Sequence, residues 1–404
     1  MERMDALTTP LPKAWQKVRL GDIAEIKRGA SPRPIENPKW FCTNSNIGWV
    51  RISDISKNSR FLYKTAQKLS KKGIEKSRFI KQNSLIMSMC ATIGKPIITK
   101  IDTCIHDGFV VFENPKIDLN YLYYFLCYIE KEWLESGQQG SQVNLNVDLI
   151  KNKEVFCPKD LNEQIAIANV LSDVDRYLCS LDALILKKES VKKALSFELL
   201  SQRKRLKGFN QAWQKVRLGD ICEFGNGGAY ETLIVENGDF KLISLNSIDI
   251  DGNLKNTMKR VNFYDNSLKR DDIVMVLSDV AHGDFLGLCA VIPSNDYVLN
   301  QRMGRLRKKN DCINILFLRL YINANQKYFK MQGQGSSQLN LSKKAIEDFE
   351  ILLPPLNEQA AIANILSGLD HEIISLKNKK RQFENIKKAL NHDLMSAKIR
   401  VLNK

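Results

Sequence analysis

The chain has 404 residues, more than one ordinary domain needs, and this length predicts two or three domains. With 44% hydrophobic and 26% charged residues, the composition indicates a folded protein and excludes a disordered tail. The formal net charge of +16 indicates a polyanionic partner, either nucleic acid or an anionic membrane surface, with general surface basicity as the plain alternative.

Apolar runs in the sequence are short. None approaches the roughly 18 apolar residues that a membrane span requires, and Met1–Pro12 lacks the apolar core of a signal peptide. The nine cysteines are scattered without any Cys-x-x-Cys pair, so we expect no metal site. Scattered single thiols in a long chain are typical of buried cysteines in a reducing compartment, which predicts a cytoplasmic protein.

In chain order, the first half begins with a short edge segment, Ala14–Ile23, which reads AWQKVRLGDI. The interior that follows contains predicted strands at Ser84–Met89 and Phe109–Phe112 and a predicted helix at Asn120–Glu135. From Leu161 onwards, apolar residues recur at alternating spacings of four and three, which favours a long helix of the coiled-coil type. We expect Asn162 to cap this helix and Gly208 to stop it.

The same order of segments then returns. Ala212–Ile221 repeat AWQKVRLGDI without a change, 198 positions after Ala14–Ile23. Leu356–Asp370 read LNEQAAIANILSGLD where Leu161–Asp175 read LNEQIAIANVLSDVD, 195 positions earlier. The loop SQLNL at Ser337–Leu341 likewise repeats SQVNL of the first half. An internal repeat of this length predicts two copies of one structural plan.

The interiors between these repeated edges are hard to align. The second interior has its own predicted strands, Lys241–Leu245 and Ile273–Leu277, and a predicted helix at Ile313–Lys330. A duplication that only drifted would have eroded edges and interiors alike. Repeated edges with divergent interiors therefore indicate that one surface meets two copies of a partner, while the interiors recognise different things.

The predicted fold class is α+β, with two globular domains that are each followed by a long helix. We expect the two helices to form an antiparallel coiled coil within the chain, with pseudo-twofold symmetry. A parallel pairing between two chains is the alternative. The predicted boundaries are 1–157 and 208–353 for the globular domains, and 158–207 and 354–404 for the helices, with Asn357 as the second helix cap.

Charge and hydrogen-bonding capacity suggest where nucleic acid would bind. The tract Arg60–Lys81 holds eight basic residues and Glu75 alone as an acid, so it either contacts phosphates or is a solvated helix face. Loops that carry Arg, Asn, Gln and Ser supply the patterns that read base edges. The candidate DNA-contacting residues are Arg28, Ser31, Arg33, Arg51, Lys68, Lys71, Lys72, Gln139, Ser141, Gln142, Asn226, Tyr230, Asn246, Arg302, Arg305, Ser337 and Gln338.

Signatures of catalysis are missing from the sequence. It contains no phosphate-binding Gly-x-x-x-x-Gly-Lys-Ser/Thr loop, no strand-linked Gly-x-Gly-x-x-Gly and no Asn/Asp-Pro-Pro-aromatic motif. His106 and His282 stand near Asp107 and Asp284, but such neighbours are commonplace and indicate no catalytic site. We therefore expect a protein without enzymatic activity of its own.

The repeated motifs resemble those of the specificity subunits of type I restriction–modification enzymes. The similarity rests on WQKVRLGDI at Trp15–Ile23 and Trp213–Ile221, on the LNEQ starts of both long helices, and on the loops with Gln142 and Gln338. It covers nearly the whole chain. The stretch Ser31–Pro34, which reads SPRP, also resembles the target-recognition domains of that family.

This resemblance implies a function. Each globular domain would read one half of a bipartite, asymmetric DNA site, and the helices would set the spacing. Two modification subunits, which carry S-adenosylmethionine and methylate adenine, would dock on the repeated surfaces, and restriction subunits would join for cleavage. The candidate partner-docking residues are Trp15, Leu161, Asn162, Gln164, Trp213, Leu356, Asn357 and Gln359. The alternatives are another kind of DNA-binding scaffold or regulator, and a basic protein of the membrane surface.

Overall fold

The structure is a computed structural model that describes residues 12–56, 60–136, 145–280 and 284–401. The chain divides into two compact units: unit 1 comprises residues 1–182 and 379–404, and unit 2 comprises residues 183–378. Both units mix helices and strands, which confirms the predicted α+β class and the presence of two domains. Within the described residues, no helix combines the length and the apolar character that a membrane span requires.

Unit 1 contains short strands and helices followed by the first part of a long helix. Its strands are β1 (Trp15–Arg19), β2 (Glu25–Arg28), β3 (Gly48–Val50), β4 (Phe61–Leu62), β5 (Gln67–Lys68), β6 (Arg78–Ile80), β7 (Leu85–Ser88), β8 (Pro96–Thr99), β9 (Thr103–Ile105), β10 (Phe109–Glu113) and β11 (Glu154–Pro158). Its helices are α1 (Leu20–Ile23), α2 (Ile52–Ser56), α3 (Lys71–Glu75), α4 (Leu119–Tyr128), α5 (Glu130–Ser136), α6 (Val147–Asn152) and the start of α7 (Leu161–Leu200).

Three sheets organise unit 1. A five-stranded sheet has the order β2-β10-β7-β8-β4, a four-stranded sheet has the order β5-β3-β9-β6, and β1 pairs with β11. Helix α4 packs on the five-stranded sheet because it buries Tyr121, Leu122 and Phe125 in the same hydrophobic core. Ile167 of α7 joins that core, so the long helix is anchored in the unit from which it starts.

Unit 2 continues with the rest of α7 and a second series of elements. Its strands are β12 (Gln214–Arg217), β13 (Cys222–Asn226), β14 (Phe240–Ile243), β15 (Lys259–Val261), β16 (Ile273–Val276), β17 (Ser278–Val280), β18 (Cys289–Val291), β19 (Tyr297–Leu299), β20 (Met303–Lys308), β21 (Gln338–Asn340) and β22 (Glu350–Leu353). Its helices are α8 (Leu218–Ile221), α9 (Ile315–Ala324), α10 (Gln326–Gln332), α11 (Lys343–Glu347) and most of α12 (Leu356–Met395), which ends in unit 1.

The strand order of unit 2 reproduces that of unit 1 although the interiors share little sequence. The sheet β13-β20-β16-β18 matches β2-β10-β7-β8, with antiparallel neighbours throughout both. Strand β14 runs parallel to β19, as β3 does to β9, and β12 pairs with β22 as β1 does with β11. The two divergent interiors are therefore two versions of one fold.

The ends of the long helices differ from the prediction. Helix α7 begins at Leu161, and the side chain of Asp160 accepts a hydrogen bond from the N–H of Asn162 at 2.9 Å, so Asp160 is the cap and Asn162 lies in the first turn. Helix α12 begins at Leu356, and the carbonyl of Pro355 accepts the N–H of Gln359 at 3.0 Å, so the expected cap at Asn357 is also wrong.

Both helices also end earlier than predicted. Helix α7 stops at Leu200, before the expected stop at Gly208, because Gln202 takes the left-handed conformation with φ 61°. The N–H of Lys204 then bonds to the carbonyl of Glu198 at 3.1 Å. Ala397, 195 positions after Gln202, follows the end of α12 with φ 58°, and there the N–H of Lys398 bonds to the carbonyl of Asp393 at 2.9 Å, as in the common helix-ending motif that usually uses glycine.

In unit 1, the start of α7 lies beside the end of α12. The carboxylate of Asp175 pairs with Lys387 at 2.6 Å, and that of Asp182 pairs with Lys380 at 2.6 Å. Residue numbers rise on one helix as they fall on the other, so these segments run antiparallel. The lysines that interrupt the apolar series are therefore neutralised by acids of the facing segment.

In unit 2, the end of α7 lies beside the start of α12 and uses the same device. Lys192 pairs with Asp370, and Lys188 pairs with Glu372 at 2.8 Å. Lys192 and Asp370 stand 195 positions from Lys387 and Asp175, so the repeat places one ion pair in each unit. These segments are also antiparallel.

The cysteines are only partly buried. Cys104, Cys157, Cys222 and Cys289 lie in the interior as predicted. Cys42, Cys179 and Cys312 are exposed, contrary to the prediction, because they lie in loops or on the solvent side of α7. Among the described residues, no group of three or more His, Cys, Asp or Glu side chains could hold a metal ion.

Candidate nucleic-acid interface

A buried carboxylate in the first turn of each long helix ties that helix to its unit. Glu163 accepts hydrogen bonds from Arg400 at 2.7 and 3.0 Å and from the indole of Trp15 at 3.4 Å. In unit 2, Glu358 is fully buried and accepts from Arg205 at 3.1 and 2.6 Å and from Trp213 at 3.0 Å. The tryptophans therefore pack where the globular part meets the helix, as expected.

The glutamine that follows each of these glutamates is also structural. Gln164 donates to the carbonyl of Pro158 and accepts the N–H of Asp118, both at 2.8 Å. Gln359 makes the equivalent bonds, and both glutamines are buried. Trp15, with 3% exposure, and the two glutamines cannot meet a partner subunit, which corrects their expected docking role. The half-buried Trp213 is also bound within the chain.

Several strand ends converge on one face of unit 1. Arg28 is the last residue of β2, Arg51 follows β3, and the turn His106–Gly108 joins β9 to β10. Because β3 and β9 are parallel, their carboxyl ends meet at one sheet edge, which brings Arg51 to the His106–Gly108 turn. These residues line two adjoining cavities of about 370 and 290 Å³ that share His106 and Asp107.

Asp107 organises the first of these cavities. Its carboxylate accepts the hydroxyl of Ser31 at 2.7 Å and one guanidinium nitrogen of Arg33 at 2.7 Å, while Arg28 donates to its backbone carbonyl at 2.7 Å. Partial burial raises the pKa of Asp107, but the Ser31 hydrogen bond and the Arg33 charge outweigh burial and hold that pKa below its usual value. Asp107 therefore stays ionised and fixes the side chains of its loop.

His106 stabilises the turn that forms the same site. Its Nδ1 accepts the N–H of Gly108 at 2.9 Å, and burial lowers the pKa of the imidazole, with Asp107 opposing part of that shift. The neutral ring therefore carries its proton on Nε2, so Nδ1, which lies 3.7 Å from the Asp107 carboxylate, has no proton to donate to it as a catalytic dyad would require.

The lysine-rich tract Arg60–Lys81 supports the loop that carries Ser31 and Arg33, which we call the arginine loop. Ser70 donates to the carbonyl of Lys39 at 2.6 Å, and the indole of Trp40 donates to the carbonyl of Pro34 at 2.8 Å, so α3 holds the segment beside Arg33. Lys68, Lys71 and Lys72 are exposed, and none forms an ion pair with the described part of the chain. The tract contributes strands and one short helix to this face, so the alternative that it forms a solvated helix face is wrong.

Arg60, at the start of the tract, is an exception. It is 6% exposed, and its guanidinium donates to Tyr124 at 2.8 Å, Ser172 at 2.7 Å and Asn120 at 2.6 Å. It also lies over the ring of Phe61. Arg60 therefore fastens α7 to the globular part of unit 1, and its burial argues against the phosphate contact expected of the tract.

Unit 2 builds the corresponding loop from other residues. Asn226 ends β13 as Arg28 ends β2, and the turn Asn300–Arg302 joins β19 to β20 as His106–Gly108 joins β9 to β10. Asn300 is 4% exposed and donates to the carboxylate of Glu231 at 2.9 Å. A hydrogen bond from the Gln301 side chain lowers the pKa of Glu231 from its usual value, so this exposed carboxylate is ionised.

The other candidates of unit 2 divide into exposed and internal residues. Asn226, Asn246 and Arg302 are exposed near this loop, with Arg302 in the left-handed conformation at φ 68°. Tyr230 is half-buried and donates to Asp265 at 2.9 Å. Arg305 has a side-chain exposure of only 13% and donates to Glu223 at 2.6 Å and to the carbonyl of Ser267 at 3.2 Å, which argues against its predicted contact with DNA.

The repeated glutamine loops can be judged only in unit 2. Gln139, Ser141 and Gln142 lie outside the described residues. Ser337 is exposed, and Gln338 lies in β21, which pairs with β17. The loop thus stands next to the sheet, where the backbone of Gln338 faces that of Val280.

Sequence reasoning missed Asp107, Asn300, Gln301 and Glu231 as site residues. The available signal was a glycine repeated at 29 and 227, again 198 positions apart. A side chain at Gly29 would lie 2.0 Å from the carbonyl oxygen of His106, and one at Gly227 would lie 2.1 Å from that of Asn300. Each glycine therefore marks where the loop crosses the turn that completes the site.

Comparisons with known proteins place the chain in a family. Residues 12–188 and 210–385 match the family described as type I restriction modification DNA specificity domain, and the chain belongs to that family, as its motifs predicted. Among curated relatives, the type I restriction enzyme MjaVIII specificity subunit of Methanocaldococcus jannaschii is 26% identical, covering 97% of this chain and 95% of the relative. The EcoprrI specificity subunit of Escherichia coli is 25% identical over 41% of the chain.

Solved structures support the fold. The S subunit of a type I restriction-modification system from M. genitalium matches with a TM-score of 0.62 and 17% identity, covering 96% of this chain and 97% of that one. The HsdS subunit from Thermoanaerobacter tengcongensis matches with a TM-score of 0.50 and 16% identity, covering 98% and 100%. At these identities the likeness concerns the fold alone.

Proposed function

We propose that this chain is the DNA-recognition subunit of a type I restriction–modification complex. It reads a bipartite, asymmetric site in double-stranded DNA, with one half-site for each globular domain, and catalyses nothing itself. Two modification subunits dock on it, and they carry the S-adenosylmethionine that methylates adenine. Restriction subunits join the complex for cleavage.

One observation carries this proposal: the two units share a fold and a frame but differ where their strand ends converge. Arg28 and Arg51 of unit 1 correspond to Asn226 and the segment around Asn246 in unit 2. Both sets can donate hydrogen bonds to base edges, but in different patterns. Two different readers on one plan are what a split, asymmetric target requires.

The phosphate contacts of the proposed complex come from the lysines beside the arginine loop. Lys68, Lys71 and Lys72 are exposed on the segment that supports Arg33. Such contacts supply affinity and fix the register of a protein on the duplex, while side chains in the groove supply specificity. Further contacts with the DNA backbone are proposed for the glutamine loop, because it is repeated in both halves. Its residues are Gln139, Ser141, Gln142, Ser337 and Gln338.

The helices are proposed to pair as an antiparallel coiled coil. The repeated pairs of Asp175 with Lys387 and of Lys192 with Asp370 support this arrangement. The apolar series at alternating spacings of four and three along both helices is also typical of coiled coils. Half-sites about one helical turn, roughly 34 Å, apart can be approached from one face of the duplex.

The docking surface for the modification subunits is proposed at the exposed first residues of both long helices. Leu161 is 52% exposed and Leu356 is 48% exposed, at corresponding positions of the repeat. Asn162 and Asn357 are exposed beside them. A large apolar side chain left exposed at the same place in each unit favours a partner that binds twice.

The test is adenine methylation in cells. The gene would be expressed with its modification-subunit genes in a host that lacks adenine methylation, and the methylated sequences would be compared with and without the gene. We expect a split motif that depends on this gene. An unchanged methylome, with no stable complex on co-purification, would contradict the proposal.

Exchange of one reader supplies a matched control. Replacing residues 24–157 with the corresponding domain of a relative should change one half of the motif, and replacing 222–353 should change only the other half. A change in both halves after a single exchange would refute the assignment of one half-site to each domain.

A further inference from the structure

The two units place opposite chemistry at one equivalent position. The N–H of Gly29 bonds to the carbonyl of Phe109 at 2.8 Å, and the N–H of Gly227 bonds to that of Met303 at 3.2 Å, so the glycines are structurally equivalent. Four residues after each glycine stand Arg33 and Glu231. One reader therefore has a cation where the other has a carboxylate.

Each of these side chains is exposed, but a hydrogen bond with a neighbouring turn holds it in place. Arg33 has a side-chain exposure of 70% and gives one guanidinium nitrogen to Asp107. Since a guanidinium has five N–H donors, this bond leaves donors for a ligand. Glu231 is exposed and accepts the amide of Asn300, whose own Oδ1 accepts the N–H of Tyr230 at 3.1 Å.

The supporting residues occupy equivalent positions as well. Asp107 stands two residues before Phe109, and Gln301 stands two residues before Met303. An acid therefore supports the arginine, and an amide supports the glutamate. The two members of each pair match in charge or hydrogen bonding within their own unit, and exchanging only one member would remove that match.

We propose that Arg33 and Glu231 determine the specificity of the two half-sites: Arg33 reads a guanine, and Glu231 reads a base that offers an amino group in the major groove. Guanine presents O6 and N7, which only accept hydrogen bonds, whereas cytosine N4 and adenine N6 donate them. An arginine only donates, and an ionised glutamate only accepts. This inference rests on the proposed function, because it assumes that these loops read DNA.

The positioning residues of this arrangement are Asp107 in unit 1, and Gln301 with its neighbour Asn300 in unit 2. They contact the reading side chains and are themselves set in the turns that precede β10 and β20. A base contact made by a pre-oriented side chain loses less rotamer freedom on binding, so the geometry of the contact discriminates more sharply.

The experiment is selection of bound duplexes by the full-length chain, assembled with its modification subunits. The probe is a library of duplex DNA in which both half-sites are randomised. The Arg33→Gln variant should lose preference for guanine at one position of one half-site, by about 5- to 150-fold, which is the discrimination of a bidentate contact. Glu231→Gln should lose the preference for cytosine or adenine at one position of the other half-site.

Three further variants separate base reading from folding and from general affinity. Arg33→Lys keeps the charge and should keep affinity while losing part of the guanine preference, because an ammonium is a point donor. Lys71→Gln, on the exposed tract, should weaken binding to all sequences alike. Asp107→Asn should reduce the guanine preference at one position and leave the other positions of the same half-site unchanged, whereas a merely structural role would weaken all positions of that half-site.

The outcomes are distinct. A wild-type complex that selects no split motif overturns the proposed function and this inference with it. A split motif whose first half contains no guanine, or Arg33 and Glu231 variants that alter the same half or only the overall affinity, overturns the inference and leaves the proposed function intact. Loss of one base preference in each half, at different positions, supports it.

Discussion

Removal of the Arg400 guanidinium tests how the last described residues stabilise unit 1. Arg400 donates two hydrogen bonds to Glu163, which is 3% exposed. In the Arg400→Ala variant, the indole of Trp15 at 3.4 Å remains as the partner of that carboxylate. A buried charge would then be left without its counter-ion, which is a far less stable arrangement than an exposed broken pair.

The expected loss follows from the burial of the two partners. Breaking a buried ion pair costs about 3–5 kcal/mol, and the 32% exposure of the Arg400 side chain shifts this pair to about 2–3 kcal/mol. For a folding unit of about 200 residues, each kcal/mol lowers the melting temperature by about 2–4 °C. We therefore expect Arg400→Ala to melt about 4–12 °C below the wild type.

Thermal denaturation at neutral pH, followed by circular dichroism, measures this shift. Adding Glu163→Gln to Arg400→Ala should recover part of the loss, because the double variant buries a neutral amide in place of an unpaired charge. Arg176→Ala is the matched control, since Arg176 pairs with Asp173 at an exposed site, where a pair contributes about 0–1 kcal/mol. The reasoning is refuted if Arg400→Ala melts like Arg176→Ala, or if Glu163→Gln destabilises it further.

Three other outcomes test the site. Gly29→Ala should abolish recognition of one half-site and Gly227→Ala that of the other, as read from selected duplexes, because each new Cβ would lie about 2 Å from a carbonyl oxygen. Replacing Lys71 and Lys72 with Gln should reduce the slope of log affinity against log salt by about 1.8, measured by titration at several salt concentrations, whereas an unchanged slope would exclude them from phosphate contact. Burial lowers the pKa of His106 below 6.5 in the folded chain, so the unfolded chain binds the proton more readily. The stability of the wild type should therefore fall relative to that of His106→Gln as the pH drops below about 6.5. Melting temperatures of the two proteins that stay parallel from pH 7.5 to 5 would contradict this.

The repeated edge segments and the long helices could be predicted because both are present twice in the sequence. The repeat Ala14–Ile23 and Ala212–Ile221 becomes β1 with α1 and β12 with α8, and the strand runs at Ile273–Leu277 and Phe109–Phe112 are found almost as predicted. Alternating apolar spacing located both long helices. Such signals are local in sequence, so a single chain suffices to read them.

The helix ends could not be predicted for a physical reason. Gln202 and Ala397 adopt the left-handed conformation that the sequence suggested only for Gly208. That conformation costs a non-glycine residue about 1–2 kcal/mol, and tertiary contacts must offset it. Arg205 and Arg400, a few residues beyond, supply those contacts by reaching the buried glutamates, and no local pattern announces them.

The candidate site was predicted only in part because its residues come from distant segments. Arg28, Arg33 and Arg51 were identified by their chemistry, but Asp107, which holds Arg33, lies 74 positions away. The periodicity of apolar residues in the sequence does not reveal Asp107 as a partner, because the parallel pairing of β3 with β9 brings it to the sheet edge from a distant segment. The glutamate at 231 was missed because acids are disfavoured near phosphates in general, although a base edge with an amino group favours one.

The division between the repeated buried contacts, here called the frame, and the loops explains how the two proposed readers can diverge on one fold. The frame contacts that repeat, such as Glu163 with Trp15 and Glu358 with Trp213, are buried and join segments far apart in sequence, so a change at either partner destabilises the whole unit. Arg33 and Glu231 are exposed, and the residues that support them lie in the turn before β10 or β20 of the same unit. A loop and its supporting turn can therefore change together without disturbing the frame, and specificity can vary while the repeated surfaces stay fixed.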